Sequence, residues 1–162
     1  MSSCNRRTLL LLPLALAACG FSPAYGPKGA AQGLQGAIRA ADPADKNSYD
    51  FVAAFEARFG RTKAARYALA YTITTETVGA GYTTSNVITR YNLRGRIDWS
   101  LTELATDTRL AGGTAENFTS WSATGSTVAG IAAEEDAAER LMTVLADQIA
   151  TQIIAASARF AQ

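Results

Sequence analysis

Several stretches of the chain alternate apolar and polar residues with a period of two, which predicts β-strands. One begins at Tyr67 and closes at Gly79-Ala80-Gly81, a second covers Val87–Leu101, and a third covers Arg109–Trp121. The apolar face of the second comprises Val87, Thr89, Tyr91, Leu93, Gly95, Ile97, Trp99 and Leu101. Its other face is polar, which is typical of antiparallel strands with one face in the core. Gly112-Gly113 predicts a β-bulge in the third strand.

The first helix is predicted from aromatic residues at helical spacing. These residues are Phe51, Phe55 and Phe59. We assign this stripe to the core rather than to a ligand site, because a core-facing helix needs large apolar side chains at this spacing. Asn47 or Ser48 can cap the N-terminus of the helix, and Gly60 can cap its C-terminus.

A second, longer helix is predicted from about Ile131 to about Phe160. Acidic residues 134–136 lie in its first turns, where the helix dipole favours negative charge. Its apolar stripe consists of Ala138, Leu141, Leu145, Ile149, Ile153 and Ala156. A short strand over Leu34–Ala40 precedes the first helix. This order of elements predicts an α+β fold: a two-layer sandwich with two helices packed on one face of a mostly antiparallel four-stranded sheet.

The N-terminal end of the chain is typical of a targeting segment. Arg6 and Arg7 precede an apolar run that is too short to cross a bilayer as a helix. The run ends in Leu16-Ala17-Ala18-Cys19-Gly20, which resembles the lipobox of bacterial lipoproteins, although a plain cleavable signal with a chance cysteine is the alternative. We predict a signal peptide over residues 1–18, a flexible tether over residues 19–33 and one periplasmic domain over residues 34–162.

Membrane attachment is expected through Cys19, which the resemblance to a lipobox predicts to carry acyl chains such as palmitate. Two or more acyl chains anchor a protein firmly, whereas one holds it weakly. The sorting rules of many Gram-negative bacteria retain lipoproteins with Asp after the acylated cysteine in the inner membrane. Gly20 occupies that position, which favours the outer membrane.

Composition argues against several classes of function. The chain has no histidine, and both of its cysteines are used or removed by processing, so we expect neither a metal site nor a cofactor. Without histidine, a catalytic base would have to be lysine or a carboxylate, and no Ser-x-x-Lys pattern occurs, so we do not expect an enzyme. The chain has 15 Lys and Arg against 14 Asp and Glu, and removing Arg6 and Arg7 leaves a net charge of −1. A near-neutral domain is not expected to bind nucleic acid.

Both ends of the predicted mature chain carry motifs that resemble a known family. The sequence Cys19-Gly20-Phe21-Ser22-Pro23-Ala24-Tyr25-Gly26 resembles the start of the lipopolysaccharide-assembly lipoproteins, especially their alphaproteobacterial branch. Residues 135–141 and 145–149 resemble the last helix of that family. The resemblance implies an outer-membrane lipoprotein that plugs and helps to assemble a large partner β-barrel, which inserts lipopolysaccharide into the outer leaflet. The alternative is an auxiliary lipoprotein of another envelope lipid-transport system of the ABC type.

Arg90, Arg94 and Arg96 share the polar side of the second long strand, so they are candidates for a binding site. Arginine forks suit phosphates, and lipopolysaccharide, the ligand that the resemblance implies, is rich in them. The alternative is a solvated sheet face whose charge is balanced by Asp98 and Glu103.

Aromatic residues of the predicted strands divide into core and partner-contact candidates. Tyr91 and Trp99 lie on the apolar face and are predicted to be core residues. Trp121 ends its strand beside a loop of small residues, so it is a candidate for an exposed aromatic that contacts the wall of the partner barrel.

Overall fold

Helices and strands follow one another in the predicted order in the computed structural model, which describes residues 26, 29, 31, 33–123 and 125–160. The elements are β1 (Ile38–Ala40), α1 (Lys46–Phe59), β2 (Tyr67–Tyr82), β3 (Ile88–Glu103), β4 (Thr108–Ser122) and α2 (Thr127–Ser157). The strands form one sheet in the order β1–β2–β3–β4, in which β1 is parallel to β2 and the other neighbours are antiparallel. Both helices pack on its apolar face, which confirms the predicted α+β class.

The predicted signal peptide and the acylated Cys19 lie outside the described residues. Of the predicted tether, residues 26, 29, 31 and 33 are described. Ala31 is completely buried, as is Leu34, and both belong to the core. The predicted strand over Leu34–Ala40 is shorter in the structure, because turns occupy residues 33–37 and only Ile38–Ala40 pairs with β2.

Helix α1 begins earlier than predicted because Asp45 caps it. The Asp45 carboxylate accepts a hydrogen bond from the Ser48 backbone N–H at 2.8 Å, and the Asp45 N–H donates to Ser48 Oγ at 2.9 Å. This reciprocal pair is a capping box, so the prediction of Asn47 or Ser48 as the cap is wrong. Gly60 caps the C-terminus with a φ of 78°, as predicted, and its N–H donates to Glu56 O at 2.7 Å.

The core lies between the helices and the apolar face of the sheet. The predicted aromatic stripe of α1 is buried, and Phe51 contacts Tyr71 of β2 with ring centroids 4.7 Å apart. The predicted alternation in β3 is confirmed for residues 93–101, whose buried members are Leu93, Gly95, Ile97, Trp99 and Leu101. It does not extend to Val87, which is 59% exposed and precedes the strand.

The bulge in β4 lies at Leu110 rather than at the predicted Gly112-Gly113. Leu101 pairs with Ala111 and Thr102 pairs with Arg109, so Leu110 is the extra residue. The two glycines stay in regular register and instead leave room for side chains. A Cβ at Gly112 would collide with the Arg109 guanidinium, and one at Gly113 would lie 3.3 Å from Gln152 Oε1.

Helix α2 begins at Thr127 and ends at Ser157, so it is displaced by a few residues from the prediction. Ser126 caps it by accepting a hydrogen bond from the Ala129 N–H. Acidic residues 134–136 therefore lie in the third turn, and the prediction that they complement the first turns is wrong. The centre of the predicted apolar stripe is fully buried: Leu141, Leu145, Ile149 and Ile153.

Candidate functional site

The candidate site is the sheet face that turns away from the two helices. Alternation along β3 places Arg94, Arg96 and Asp98 on this face, each exposed, while residues 93, 95 and 97 point into the core. The neighbouring strands add Glu76 opposite Arg94 and Glu116 opposite Arg96. No described element covers this surface, which we call the open face.

Arg96 is held in a network of hydrogen bonds at the centre of the open face. Its Nε and Nη2 donate to the Asp98 carboxylate at 3.0 and 2.8 Å, and its Nη1 donates to Glu116. Thr114 Oγ1 also donates to Asp98 Oδ1 at 2.6 Å. Hydrogen bonds from Arg96 and then Thr114 lower the pKa of Asp98. The hydrogen bond to Asp98 and its negative charge, followed by the hydrogen bond to Glu116, raise the pKa of Arg96. Two carboxylates therefore compensate the charge of Arg96.

Carboxylates compensate the charges of the other two arginines less fully. Arg94 Nη1 lies 4.0 Å from Glu76 Oε2, and both side chains are mostly exposed. Arg90 stands between Gly81 and Ser122 at the end of the open face, and it forms no ion pair with any described residue. The structure places all three arginines on one face, as predicted. It also shows that nearby carboxylates compensate their charges to different degrees.

The carboxylates that balance this face differ from the expected ones. Asp98 pairs with Arg96 as expected, whereas Glu103 pairs with Arg66 at 3.3 Å. Glu116 and Glu76 take the place of Glu103, because strand pairing brings them beside the arginines. Alternation within one strand cannot identify these partners, since they come from β2 and β4.

A shallow groove of about 430 Å³ crosses the middle of the open face. Its lining comprises Thr74, Thr75, Glu76, Arg94, Gly95, Arg96, Glu116, Asn117 and Phe118. Phe118 is opposite Arg94 and is 60% exposed. Sequence reasoning missed Phe118, although it is an aromatic at a polar position of its strand. Cationic forks, carboxylates and one apolar ring together can contact a ligand or partner that is both charged and apolar.

Trp121 is a core residue, which corrects the expectation of an exposed aromatic. It is 9% exposed and stacks on Tyr91, with centroids 5.3 Å apart and an interplanar angle of 24°. Trp121 falls on the core-facing parity of β4, so its ring turns toward the helices. Trp99 is buried as predicted, and its Nε1–H donates to Gln152 Oε1 at 2.8 Å. The contact of Trp121 with a partner barrel stays a prediction that the burial of its side chain disfavours.

Sites of two other kinds are absent from the described part of the chain. Those residues contain no group of three or more His, Cys, Asp or Glu side chains placed to hold a metal ion. They also contain no helix whose length and apolar character would let it span a membrane.

The fold and the open face together define a class of protein, namely a small α+β domain with one uncovered, charged sheet face. The family model for LptE, described as lipopolysaccharide-assembly, matches residues 36–153. The chain therefore belongs to the LptE lipopolysaccharide-assembly family, a family of non-enzymatic envelope lipoproteins.

Solved structures share this fold. A lipoprotein structure from Caulobacter crescentus has a TM-score of 0.69 at 20% identity, and the match covers 80% of this chain and 96% of that one. The rare lipoprotein B from Shewanella oneidensis has a TM-score of 0.59 at 10% identity, covering 78% and 98%. Lipoprotein B from Nitrosomonas europaea has a TM-score of 0.55 at 16% identity, covering 75% and 83%. These identities establish the fold alone. No curated protein matches the chain.

Proposed function

We propose that this protein is an outer-membrane lipoprotein that plugs the barrel inserting lipopolysaccharide into the outer leaflet and helps that barrel to assemble. The observation that carries the proposal is the family match, which spans residues 36–153 and so takes in every strand and most of α2. Acyl chains on Cys19 hold the protein at the membrane, with the domain on the periplasmic side or inside the barrel lumen. The role is binding and assembly, without catalysis.

The open face supports a plug because the inside of a large outer-membrane barrel is polar and wet. Thr74, Arg94 and Glu116 are exposed there, and the helices cover only the opposite face. Ion pairs keep the face near neutrality, so it can lie against a wall of either charge without strong repulsion.

The experiment that tests this function is an affinity purification of the tagged, lipidated protein from detergent-solubilised outer membranes. We expect a large outer-membrane barrel to co-purify in stoichiometric amount, identified by mass spectrometry. A tagged lipoprotein of unrelated fold, purified in parallel, controls for adhesion of abundant barrels. Recovery of an ABC transporter or a periplasm-spanning assembly instead of a barrel would contradict the proposal and favour the alternative function.

A direct contact with lipopolysaccharide is proposed for Arg90, Arg94 and Arg96. Charge-assisted hydrogen bonds contribute about 1.5–3 kcal/mol each, so Arg94→Ala/Arg96→Ala should weaken binding by about tenfold or more. Arg90→Ala should weaken it too, since no described carboxylate competes for its guanidinium. Binding of purified lipopolysaccharide to the chain from Gly20 onward measures this, with Arg39→Ala, an exposed arginine of β1, as the control. Unchanged affinity in the double variant would contradict the contact.

A further inference from the structure

Arg109 lies at the start of β4, and the bulge beside it decides which face of the sheet its side chain occupies. Leu110 is the extra residue of the bulge, so Arg109 pairs with Thr102 of β3, on the open-face parity. Without the extra residue, Leu110 would take that place and Arg109 would face the core. The bulge instead lets Leu110 pack against the core and turns Arg109, which is exposed, onto the open face.

Gly112 provides the space in which the Arg109 side chain lies flat on the sheet. A Cβ at Gly112 would collide with Arg109 Nη2, and it would stand 2.9 Å from Cζ and 3.0 Å from Nε. The guanidinium therefore covers the bare backbone of the glycine, and a glycine within a strand often marks such a close approach. The bulge and the glycine act on the same side chain, and together they hold Arg109 on the open face.

The charge of Arg109 has no partner in the described part of the chain. Its guanidinium forms neither an ion pair nor a hydrogen bond with any described residue. Glu103 pairs with Arg66 at 3.3 Å instead, and Asp107, two residues before Arg109, forms no ion pair with it. An arginine carries five N–H donors and no acceptor, so these donors are available to an anionic ligand.

A cleft of about 280 Å³ lies beside this guanidinium on the open face. Its polar lining comes from Arg109, Asp98, Ser100 and Thr72. Ala70 is opposite Ser100 in β2, and its short side chain adds room to the cleft. The hydroxyls of Ser100 and Thr72 form no hydrogen bond with any described residue, so each can donate to a ligand or accept from it.

Asp98 adds an acceptor to the cleft. Arg96 and Thr114 both donate to its Oδ1, whereas its Oδ2 accepts from Arg96 Nε alone. A carboxylate oxygen accepts about two hydrogen bonds, so Oδ2 can accept one more, for example from a ligand hydroxyl. Asp98 also shares the charge of Arg96 with Glu116, so it keeps part of its negative charge. A ligand with one anionic group and several hydroxyls suits this combination better than a bare anion does.

We propose that this cleft, which we call the Arg109 cleft, binds a phosphorylated sugar, with the phosphate on the Arg109 guanidinium and a ring hydroxyl donating to Asp98 Oδ2. The planar fork of arginine matches two oxygens of a phosphate. The cleft is separate from the centre of the open face, because Ser100 and Arg94 are about 20 Å apart along β3. The identity of the ligand rests on the proposed function, since lipopolysaccharide carries its phosphates on sugars.

The first test titrates the chain from Gly20 onward, which retains every described residue, with glucose 1-phosphate, glucose and inorganic phosphate. We expect glucose 1-phosphate to shift the NMR signals of the Ser100 amide and of Arg109 Nε–H, and to bind more tightly than the other two. Arg109→Ala should weaken its binding by about tenfold, which corresponds to about 1.4 kcal/mol. Arg39→Ala, at an exposed arginine of β1, is the control and should leave it unchanged. Unchanged affinity in Arg109→Ala, or equal binding of inorganic phosphate, would overturn the inference.

Gly112→Ala tests the position of the guanidinium while the charge is kept. The new Cβ displaces the flexible Arg109 side chain, so glucose 1-phosphate should bind about threefold to tenfold more weakly, while the free energy of unfolding should not fall. Arg109→Ala/Gly112→Ala should bind no more weakly than Arg109→Ala, because both substitutions remove the same contact. Gly125→Ala is the control, since a Cβ there meets no atom within 4 Å. Wild-type affinity in Gly112→Ala would contradict the inference.

Purified lipopolysaccharide separates the failure of this inference from that of the proposed function. Arg109→Ala should bind it several-fold more weakly than the unsubstituted chain, and removing the phosphates from the lipopolysaccharide should abolish this difference. If binding depends on Arg94 and Arg96 but not on Arg109, the contact proposed above stands and the Arg109 cleft is wrong. If glucose 1-phosphate binds through Arg109 and lipopolysaccharide does not bind at all, the cleft stands and the proposed lipopolysaccharide contact fails.

Discussion

At the scale of single residues, Gly95 lies where α2 packs closely against β3. A Cβ at Gly95 would lie 2.8 Å from Leu141 Cδ2 and 3.0 Å from Leu145 Cδ1, both of them buried. Gly95→Ala should therefore lower the free energy of unfolding by about 1–3 kcal/mol through overpacking. Urea unfolding of the chain from Gly20 onward measures this. Gly125→Ala is the control, because a Cβ there meets no atom within 4 Å, and equal stability of the two variants would contradict the prediction.

The N-cap of α1 gives a prediction with a defined pH dependence. Asp45→Ala removes the acceptor for the Ser48 N–H and should cost about 1 kcal/mol at neutral pH, whereas Asp45→Asn keeps an acceptor and should cost less. Hydrogen bonds from Ser48 lower the pKa of Asp45 below its ordinary value of 3.8. A depressed carboxyl pKa stabilises the fold above the unfolded pKa, and this stability is lost as pH falls through the folded pKa.

The advantage of the wild type over Asp45→Asn should therefore be present above about pH 4 and vanish at lower pH. Thermal unfolding between pH 2 and 7 measures it. A difference between the two proteins that stays constant across this range would mean that the carboxylate charge plays no part in the cap.

Sequence predicts burial well along stretches where the periodicity is strong. It predicts burial poorly at single positions near the end of a strand. Trp99 and Trp121 both face the core, but Trp121 stands at the end of its strand, where a shift of one residue would reverse the face it occupies. The Leu110 bulge sets that parity, and no residue type in the sequence marks Leu110 as a bulge. The glycines that suggested a bulge instead stand where a Cβ would lie close to the side chains of Arg109 and Gln152.

At the scale of elements, β4 is an edge strand, and three backbone groups on its outer edge form hydrogen bonds with side chains. Gln152 Nε2 donates to Thr114 O at 3.1 Å, and Arg140 Nη2 donates to Ser120 O at 3.5 Å. The Phe118 N–H donates to Asn117 Oδ1 at 2.8 Å. Residues 114, 118 and 120 share one parity, so these contacts lie along the edge that faces away from β3. An unsatisfied edge of this length would be a template for pairing with another chain.

Removing these contacts should increase self-association. We expect Arg140→Ala/Gln152→Ala to form dimers or larger species at concentrations where the wild type is monomeric, as measured by size-exclusion chromatography with light scattering. Thr143→Ala/Thr151→Ala is the matched control, since both hydroxyls bond carbonyls of their own helix. A double variant that remains as monomeric as the control would show that the edge is protected by other means.

The type and order of the elements could be predicted from periodicity, but their ends and neighbours could not. The ends of α1 and α2 depend on the hydrogen bonds of Asp45 and Ser126, which compete with other capping residues nearby. The parallel pairing of β1 with β2 arises from the return of the chain after α1. Strand β1 pairs over three residues, which are too few for an alternation pattern that would specify its neighbouring strand. Tertiary contacts therefore determine this arrangement.

At the scale of the whole molecule, surfaces of different chemistry occupy different places on one sheet. The open face carries paired charges around Arg96, while the opposite face of the sheet is buried beneath the two helices. The sequence predicted the three arginines of the open face, because they share one strand. It did not predict which arginine has a charge that nearby carboxylates leave uncompensated, since Glu76 and Glu116 belong to the neighbouring strands. Strand register, rather than composition, therefore decides what the site can bind.

If the open face lies against the barrel, one new charge at its centre should separate the two proteins. Phe118 is 60% exposed beside Arg94 and Arg96, so Phe118→Arg would place a third cation in a contact that excludes water, where Glu76 and Glu116 already face arginines. An unpaired charge in such a contact costs several kcal/mol, so the barrel recovered with the tagged, lipidated variant should fall by tenfold or more. Tyr49→Arg, on the outer side of α1 and 65% exposed, is the matched control and should recover the barrel at the wild-type level. If Tyr49→Arg lowers recovery and Phe118→Arg does not, the helical side of the domain contacts the barrel, and the open face is left for lipopolysaccharide.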